Sequence, residues 1–457
     1  MFSSTPAPGI PNIPTPGSPA TPAIPATPAM PAVPAVPSDA PAQNLGPTVA
    51  IIGFGAAGVN AVIALRNAGY LGRIQAFSDV GERPYSPILS SYYAAGLKSY
   101  DECFPWSQDD INDLNVEFVP SSVDSLDVHS HTITTTLGAY TYDKCVIATG
   151  ASPSLDGFPA VAGYEPLVLR TMEDAERMRK ALADPSRKRV LVAGSSMVAL
   201  KTLEASLDQG KNTTLVGRSA HILRASAVPE VAERIESNLR AQGATLRLGV
   251  VVESVSLASG PDTSRGRLAV TFSDGSTDYF DEICVAYGMK CNLDFLQPGA
   301  LETDRALIVD EFMRTSNPDV YAAGDVAQAL ELISGEKRIV GIWKNAANQG
   351  ACAGAAIAAE LAGATPNTPF KGAIPNNTIA INDALFLSAG SIEITANRRV
   401  EIREGDAMTV AYIFETTHDG SERLVGFNLA CDHNEEGGIA YDTGAMLSLR
   451  IERDARR

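Results

Sequence analysis

The chain has 457 residues and carries 53 acidic against 36 basic side chains, a formal net charge of −17. This length suggests roughly three domains with ample buried core. The acidic balance argues against nucleic acid or an anionic membrane as a partner, since both need clustered Lys and Arg. Six cysteines without a CxxC pair indicate a cytoplasmic protein with reduced thiols. No apolar run approaches the ~18 residues that cross a bilayer.

Residues 1–46 are predicted to be a disordered tail. Proline recurs at every third position from Pro16 to Pro37, the period of a polyproline II helix. A composition of Pro, Ala, Thr and Ser cannot build a core. No Lys or Arg precedes Arg66, which argues against a secretory signal. An arm that docks on a partner or on a neighbouring subunit is the alternative.

The first folded stretch predicts a dinucleotide site. An apolar strand at 49–52 runs into a GxGxxG motif, and a helix is expected at 59–68. The glycines of such a motif serve a tight turn, close approach of the backbone to a pyrophosphate, and helix–strand packing. A Gly-rich turn of some other α/β protein is the alternative. The candidate residues are Gly53, Gly55, Ala56, Ala57 and Gly58, with Ser78 and Asp79 after the next strand (73–77) as the expected ribose-binding positions.

Further along the chain, residues 82–96 are aromatic and Pro-rich, and they are predicted to form a loop and short helix that cover a ring-shaped ligand. Strands are predicted at 116–119, 131–136 and 140–148. The last strand stops at Ala148-Thr149-Gly150, which is typical of a buried parallel strand that turns sharply beside a ligand. His129 and His131 are two apart, a strand-face spacing, and because no cysteine lies near them in the sequence, surface positions are favoured over a metal site.

A second strand–turn–helix–strand unit begins at Arg189, about 141 positions after the first. Two such units in tandem imply two cofactors. The turn keeps Gly194, but Ser196 and Ala199 stand where the second and third glycines would be. Gly217 occupies the usual place of the ribose-binding acid and Arg218 follows it, which favours NADPH over NADH. A second site that binds no nucleotide is the alternative.

The remaining chain predicts a helix at 228–242 and strands at 246–257, 267–272 and 281–287. A strand then ends at Gly324-Asp325, which places a carboxylate at the strand edge where cofactors dock in open α/β sheets. An Ala-rich helix follows and ends at Leu361. Beyond it the alternating β-type runs indicate a separate α+β domain.

These motifs together resemble the pyridine nucleotide–disulfide oxidoreductase superfamily, the flavoprotein reductases with two dinucleotide sites. The matching residues are Gly53-x-Gly55-x-x-Gly58, Ala148-Thr149-Gly150, the turn at Gly194, Tyr321-Ala-Ala-Gly324-Asp325 and Trp343-x-Asn345 with Gln349-Gly350. The resemblance implies an α/β fold with two Rossmann-like domains. FAD would bind at 47–165 plus 289–365 and NAD(P)H at 166–288, while 366–457 would form the dimer interface. By the same resemblance the FAD-binding residues would include Arg83, Pro87, Val123 at the adenine, Asp325 at the ribityl–phosphate region, and Trp343.

One departure from the family is a missing cysteine. Members that reduce disulfides or peroxides carry a thiol in the loop where this chain has Ile88. Cys103 is the nearest thiol and lies outside the motif, and His433 looks like part of a polar turn rather than of a His-Glu pair. The chain is therefore most similar to the thiol-free branch, the rubredoxin, ferredoxin and nitrite-reductase-type flavoproteins.

The leading hypothesis is an FAD-dependent NAD(P)H:acceptor oxidoreductase. It would pass electrons to a ferredoxin-like protein or another enzyme subunit, as a homodimer or within a hetero-complex. No catalytic side chain is named, since hydride transfer to a flavin needs no acid or base from the protein. One alternative is an FAD-binding structural subunit whose NAD(P) site is not functional. An oxidase that reduces oxygen or peroxide is a third, disfavoured by Ile88.

Overall fold

The structure, a computed structural model, describes residues 46–456 except 383 and 433, and in 434–443 only the backbone. The predicted tail, apart from its last residue, and the predicted turn at His433 lie outside the described residues. The described chain alternates strands and helices up to residue 365 and then becomes mainly antiparallel β.

The segment up to residue 165 contains eight strands and three helices, with a 3-10 turn at Asp101–Cys103. They are β1 (Val49–Ile52), α1 (Ala56–Asn67), β2 (Ile74–Phe77), α2 (Pro87–Ala94), α3 (Gln108–Asn112), β3 (Glu117–Val119), β4 (Val123–Asp127), β5 (Thr132–Thr135), β6 (Gly138–Thr141), β7 (Lys144–Ile147) and β8 (Ala151–Pro153).

Residues 166–288 form a second α/β unit. Its elements are α4 (Met172–Ala183), β9 (Arg189–Ala193), α5 (Met197–Asp208), β10 (Asn212–Gly217), α6 (Pro229–Ala241), β11 (Thr245–Leu248), β12 (Val252–Leu257), β13 (Leu268–Phe272), β14 (Thr277–Phe280) and β15 (Glu282–Val285). The parallel sheet has the order β11-β10-β9-β15, and β12, β13 and β14 pair antiparallel beside it.

The chain then returns to the first unit. It adds β16 (Met289–Cys291), β17 (Leu307–Ile308), β18 (Val320–Ala322), β19 (Ala327–Leu330), β20 (Lys337–Arg338) and α7 (Trp343–Leu361). β18 completes a parallel sheet of order β18-β7-β1-β2-β3. Because α1 and α7 pack side by side against this sheet, the first unit is built from two stretches of chain.

The last segment is an antiparallel sheet of order β21-β22-β25-β24-β23, covered by one helix that packs on β22 and β25. The bounds are β21 (Asn376–Ile381), β22 (Ala384–Gly390), β23 (Arg398–Glu404), β24 (Met408–Thr416), β25 (Glu422–Cys431) and α8 (Asn434–Ala455).

The two strand–turn–helix units share the same hydrogen bond at the glycine that begins each turn. Gly53 N–H donates to Phe77 O at 2.8 Å, and Gly194 N–H donates to Val216 O at 2.8 Å. Both glycines have positive φ (+93° and +131°), and a Cβ atom on either would lie 2.4 Å from a carbonyl oxygen. The alanines that supply these oxygens are Ala148 and Ala286. Both turns therefore require glycine for the same two reasons, conformation and close approach.

Three predicted element bounds were wrong. The expected strand at 140–148 is two strands, because Asp143 leaves the ladder to hydrogen-bond both N–H and C=O of Thr48. The run 246–257 is also two strands, separated by Gly249 with φ +73°. The first helix begins three residues earlier than predicted, at Ala56, so Ala56 and Ala57 form its first turn rather than a loop.

The two α/β units each have a buried apolar core whose central strands are inaccessible to solvent. In the part of the chain that the structure describes, no helix is long and apolar enough to cross a membrane.

Candidate functional site

A cleft of about 2610 Å³ runs along the carboxyl ends of the parallel strands of the first unit and reaches α5 and the C-terminal sheet. Fifteen of the predicted site residues line it: Gly53, Gly55, Ala56, Ala57, Ser78, Asp79, Arg83, Pro87, Val123, Ala148, Thr149, Gly150, Gly324, Asp325 and Trp343. The structure therefore brings together residues from six separate stretches of the sequence, between positions 53 and 343. Gly58 lies under the cleft in α1, whereas Gly194, Ser196 and Arg218 belong to the second unit and do not line this cleft.

The amino end of α1 faces the cleft, and its first backbone N–H groups have no hydrogen-bond partner among the described residues. Gly55 is the N-cap, and no side chain caps the helix. A Cβ atom on Gly55 would meet nothing within 4 Å, so the space in front of it is open toward the cleft. A Cβ atom on Gly58 would instead lie 2.1 Å from Gly53 O. Gly55, the second glycine of the motif, thus leaves room for a phosphate, and Gly58, the third, allows helix α1 to contact the turn.

Helix α7 packs against α1 through its glycines. A Cβ atom on Gly350 would lie 2.0 Å from Ala57 O, and one on Gly354 would lie 2.2 Å from Ala61 O. Only glycine permits this approach, and it places the first turn of α1 directly against α7. The position of this uncapped helix end therefore depends on a helix about 290 residues later in the chain.

Asp79 stands at the end of β2, on the wall of the cleft. Its Oδ2 accepts a hydrogen bond from Ser122 Oγ at 2.6 Å. Ser122 immediately precedes Val123, the first residue of β4, so the predicted ribose-binding and adenine-binding positions are linked directly. Ser78 N–H donates to Val119 O, which leaves its side chain at the cleft.

The turn at 148–150 is held by Asn292. Thr149 Oγ1 donates to Asn292 O at 2.7 Å, and Asn292 Nδ2 donates back to Thr149 O at 3.0 Å. Gly150 has positive φ (+67°), and a Cβ atom there would lie 3.1 Å from Arg170 Nη2. Arg170 also forms an ion pair with Asp325 at 3.6 Å.

Asp325 is fixed by its neighbours. Gly324 has φ +84°, and its N–H donates to the buried amide oxygen of Gln349 at 2.8 Å. This bond holds the end of β18 against α7 and presents the Asp325 carboxylate to the cleft. Arg170 and Asn292, which line the cleft, and Gln349, which supports Gly324 from behind it, were not predicted as site residues from the sequence. Gln349 had appeared only within a family motif, and no local pattern marks the other two.

Aromatic and apolar side chains close the other wall. Trp343, the first residue of α7, stacks on Trp106 with ring centroids 5.9 Å apart and an interplanar angle of 30°. Pro87 and Ile88 form the first turn of α2, and Ile88 is half-exposed into the cleft. This surface can contact a planar ring without supplying a charge.

A thiol does line the cleft, although not at position 88, where related enzymes carry one and this chain has isoleucine. Cys291 lies at the cleft, and its Sγ contacts Asp325 O at 3.3 Å. Burial, together with the Asp325 carboxylate, raises the pKa of Cys291 above the usual value for a thiol. Cys103 is buried against Leu89 O and Ser99 O and does not line the cleft.

The second unit differs from the first at its helix end. Ser196 is the N-cap of α5, and its hydroxyl accepts from Ala199 N–H at 3.4 Å. A Cβ atom on Gly217 would lie 3.0 Å from Ser195 Cβ, so this position has little room for a larger side chain. Arg218 and Arg224 are exposed on the loop that follows β10.

The first unit fits the flavin dinucleotide. It has an uncapped helix end beside an open Gly55, a carboxylate at each of two strand ends and a flat aromatic wall. Hydrogen-bond donors for phosphates and acceptors for sugar hydroxyls are the groups such a cofactor requires. The fold and the cleft therefore define the class of oxidoreductases with two dinucleotide-binding units.

Comparison with known proteins identifies the family. Residues 47–350 match the pyridine nucleotide-disulphide oxidoreductase family, and the chain belongs to it. The epsilon subunit of NADH-dependent phenylglyoxylate dehydrogenase from Aromatoleum evansii is 28% identical over 355 residues, 77% of this chain and 81% of that protein. Rubredoxin-NAD(+) reductase from Pseudomonas putida is 28% identical over 295 residues, 63% of this chain and 74% of that protein.

Solved structures of the same fold include the water-forming NADH oxidase of Lactobacillus brevis with NADH bound (19% identity, TM-score 0.78) and its engineered NADPH-binding form (20%, 0.78). Each alignment covers 89% of this chain and 91% of the other. The predicted fold class and superfamily are confirmed. The chain is a flavin-dependent NAD(P)H oxidoreductase.

Proposed function

We propose that the protein is an FAD-dependent NADPH:acceptor oxidoreductase that passes electrons to a partner redox protein, with no cysteine taking part. The observation that carries the proposal is the single cleft that joins the uncapped end of α1 to the first turns of α5. Bound FAD supplies the hydride acceptor and the outlet for electrons. The protein supplies binding, orientation and exclusion of water.

In this proposal FAD binds to residues 47–165 and 289–365. The N–H groups at the start of α1 bind the pyrophosphate, Asp79 binds the adenosine ribose, and Val123 contacts the adenine. Asp325 accepts hydrogen bonds from the ribityl chain, and the ion pair with Arg170 holds this carboxylate in position. Pro87 and Trp343 flank the ring.

Residues 166–288 bind the nicotinamide nucleotide, and we propose NADPH. Arg218 and Arg224 make no hydrogen bond or ion pair in the described part of the chain, so both guanidinium groups are available to a 2′-phosphate. Gly217 supplies no carboxylate for a free ribose hydroxyl. The absence of that acid and the presence of the two arginines favour the phosphorylated ribose.

A spacing match supports this preference. The engineered oxidase that binds NADPH gained Ala, Ala, Arg, Ser and Arg at positions separated by 18, 1, 1 and 5 residues. This chain has the same spacing, and it has the same residue type at every position but one, where glycine replaces alanine: Ala199, Gly217, Arg218, Ser219 and Arg224.

The acceptor we propose is a small iron–sulfur protein or another subunit of the same enzyme. One relative is named as a subunit of a dehydrogenase and another as a reductase of rubredoxin, an electron-carrying protein. Residues 366–457, the antiparallel sheet with α8, are proposed to make the contact between subunits, in a homodimer or a hetero-complex.

The test is an anaerobic titration of the FAD-loaded protein with NADPH and with NADH. We expect NADPH to bleach the flavin absorbance stoichiometrically and faster than NADH does. Arg218→Ala and Arg224→Ala should each raise the KM for NADPH about tenfold, the loss of one charge-assisted bond, and leave that for NADH within twofold. No bleaching by either nucleotide would contradict the proposal.

The alternative, a structural FAD-binding subunit, rests on the Ser196 cap at α5. The Ser196 hydroxyl accepts a hydrogen bond from an N–H group in the first turn of α5, whereas the first turn of α1 has no side-chain cap. It predicts bound FAD that neither nucleotide reduces. Ser196→Gly separates the two hypotheses: if the cap blocks the site, this variant gains nucleotide-dependent bleaching that the parent chain lacks.

A further inference from the structure

The loop that carries Arg218 and Arg224 lies at the surface, yet several hydrogen bonds to neighbouring elements hold its backbone. We call residues 218–227, between β10 and α6, the arginine loop. Gly249 N–H donates to Ser219 O at 3.0 Å, and Leu223 N–H donates to Ser195 O at 2.8 Å. The second contact joins the loop to the glycine turn that begins at Gly194. The arginine loop is thus tied by backbone hydrogen bonds both to this turn and to the end of β11.

The backbone of Leu223 has a conformation that contacts with the rest of the unit must maintain. Its φ is +53°, in the left-handed region that a bulky side chain rarely adopts, and its side chain is buried. Its carbonyl accepts from the N–H groups of Ser226 and Ala227. Such strain persists only where surrounding contacts determine the conformation, and it tends to occur at functional sites. The residue that follows it is Arg224.

A buried carboxylate on α6 supplies the remaining contact. Glu236 is 4% exposed, and its Oε1 accepts from Ile222 N–H at 3.1 Å and lies 3.3 Å from His221 Nδ1. Its Oε2 is 3.5 Å from Arg240 Nη2. Burying a carboxylate is costly unless hydrogen bonds compensate it, and here the compensating donors include the arginine loop itself. Arg218 and Arg224 stand on either side of the bonded residues.

We infer that Glu236 is a positioning residue for recognition of the nucleotide 2′-phosphate. It acts through its bond to Ile222 N–H, which holds Arg218 and Arg224 in place before the nucleotide binds. Rigid arrangement of binding groups raises affinity because less ordering is left to the binding step. The inference rests on the proposed preference for NADPH and names the residue that maintains it.

The test uses the full-length, FAD-loaded protein and two probes, adenosine 2′,5′-bisphosphate and adenosine 5′-diphosphate, with binding measured by calorimetry. Glu236→Ala should weaken the 2′,5′-bisphosphate about fivefold, the equivalent of about 1 kcal/mol, and leave the 5′-diphosphate within twofold. Glu236→Gln keeps an acceptor for Ile222 N–H and should weaken the 2′,5′-bisphosphate less. Glu230→Ala, an exposed position on the same helix, is the control and should behave as the parent chain.

The outcomes separate the two proposals. A parent chain that binds both probes equally overturns the NADPH preference and, with it, this inference. A parent chain that prefers the 2′,5′-bisphosphate while Glu236→Ala retains that preference overturns this inference alone. Equal weakening of both probes in Glu236→Ala, or a Gln variant as weak as the Ala variant, also overturns it, because either result indicates general damage to the unit.

Discussion

Gly350 and Ala57 approach so closely that a Cβ atom on the glycine would lie 2.0 Å from the alanine's carbonyl oxygen. This contact joins α7 to the first turn of α1, the helix end proposed to bind the pyrophosphate. The two helices come from the separate stretches of chain that build the first unit. The contact therefore connects the assembly of the unit with the proposed cofactor site.

The first prediction follows from that contact. Gly350→Ala should displace α1 and lower retention of FAD, because the added methyl cannot be accommodated without backbone movement. Overpacking of this kind costs about 1–3 kcal/mol. Flavin absorbance per protein after gel filtration, with urea unfolding, measures both effects. Ala355→Ser, on the same helix and half-buried, should leave both unchanged. Full flavin content in Gly350→Ala would contradict the assigned role of the contact.

The second prediction concerns Asp325. Asp325→Ala should weaken FAD binding about 10- to 100-fold, the effect of losing hydrogen bonds to a charged group. Retention of FAD during dialysis, followed by fluorescence of the released flavin, measures it. Asp262→Ala, at an exposed turn outside the cleft, is the control. A flavin content equal to that of the parent chain would remove Asp325 from the binding site.

The third prediction concerns nucleotide preference. Gly217→Asp alone should not create a preference for NADH, because a Cβ atom at 217 already lies 3.0 Å from Ser195 Cβ. The substituted carboxylate would displace the turn and lower kcat/KM for both nucleotides. Adding Ser195→Gly should relieve the crowding and raise kcat/KM for NADH above that of the single variant. If Gly217→Asp alone already prefers NADH, then Ser195 does not restrict the size of the side chain at position 217, and this prediction is wrong.

The fourth prediction concerns the cleft thiol. Burial and the nearby Asp325 carboxylate raise the pKa of Cys291, so it is a neutral thiol at physiological pH and a poor nucleophile. Cys291→Ser should therefore keep electron transfer to an artificial acceptor within twofold. Cys352→Ser, the same change outside the cleft wall, should do the same. A loss of turnover in Cys291→Ser alone would show that a cysteine takes part.

The fifth prediction is a pH dependence. Burial alone would raise the pKa of Glu360, but hydrogen bonds from Lys144 and Arg314 outweigh it and hold the pKa below its usual value. A lowered carboxyl pKa contributes stability that is fully present above the unfolded-state value and is lost as the pH falls through the folded-state value. Glu360→Gln should therefore cost about 2 kcal/mol at pH 7 and progressively less below about pH 4.

Urea unfolding of both chains at pH 7, 5 and 3.5 measures this difference. Glu117→Gln is the matched control, because Glu117 pairs with Arg73 on the surface and such pairs contribute about 1 kcal/mol or less. An energy difference for Glu360→Gln that stays constant with pH would mean that the ionised carboxylate is not what stabilises the unit.

The local motifs could be predicted because each depends on residues close together in the chain. The strand at Val49, the turn at Gly53 and the helix that follows require only apolar periodicity and glycine's conformational range. The repeat at Gly194 could be found in the same way, and its hydrogen bonds match those of the first turn. Where prediction placed a bound wrongly, as at Asp143, a distant partner had overridden local β-propensity.

The remaining part of the site was decided by tertiary structure. Three residues that belong to no motif acquire their roles from partners on other elements. Arg170 and Cys291 contact Asp325, and Glu236 contacts the arginine loop. The sequence by itself determined the two nucleotide-binding units and Arg218, the arginine that follows the second motif, since these are encoded by short-range spacing. Only the packing of distant segments decided which charges meet, how open each helix end is and which thiol faces the cleft, because side-chain contacts across a core depend on the whole chain.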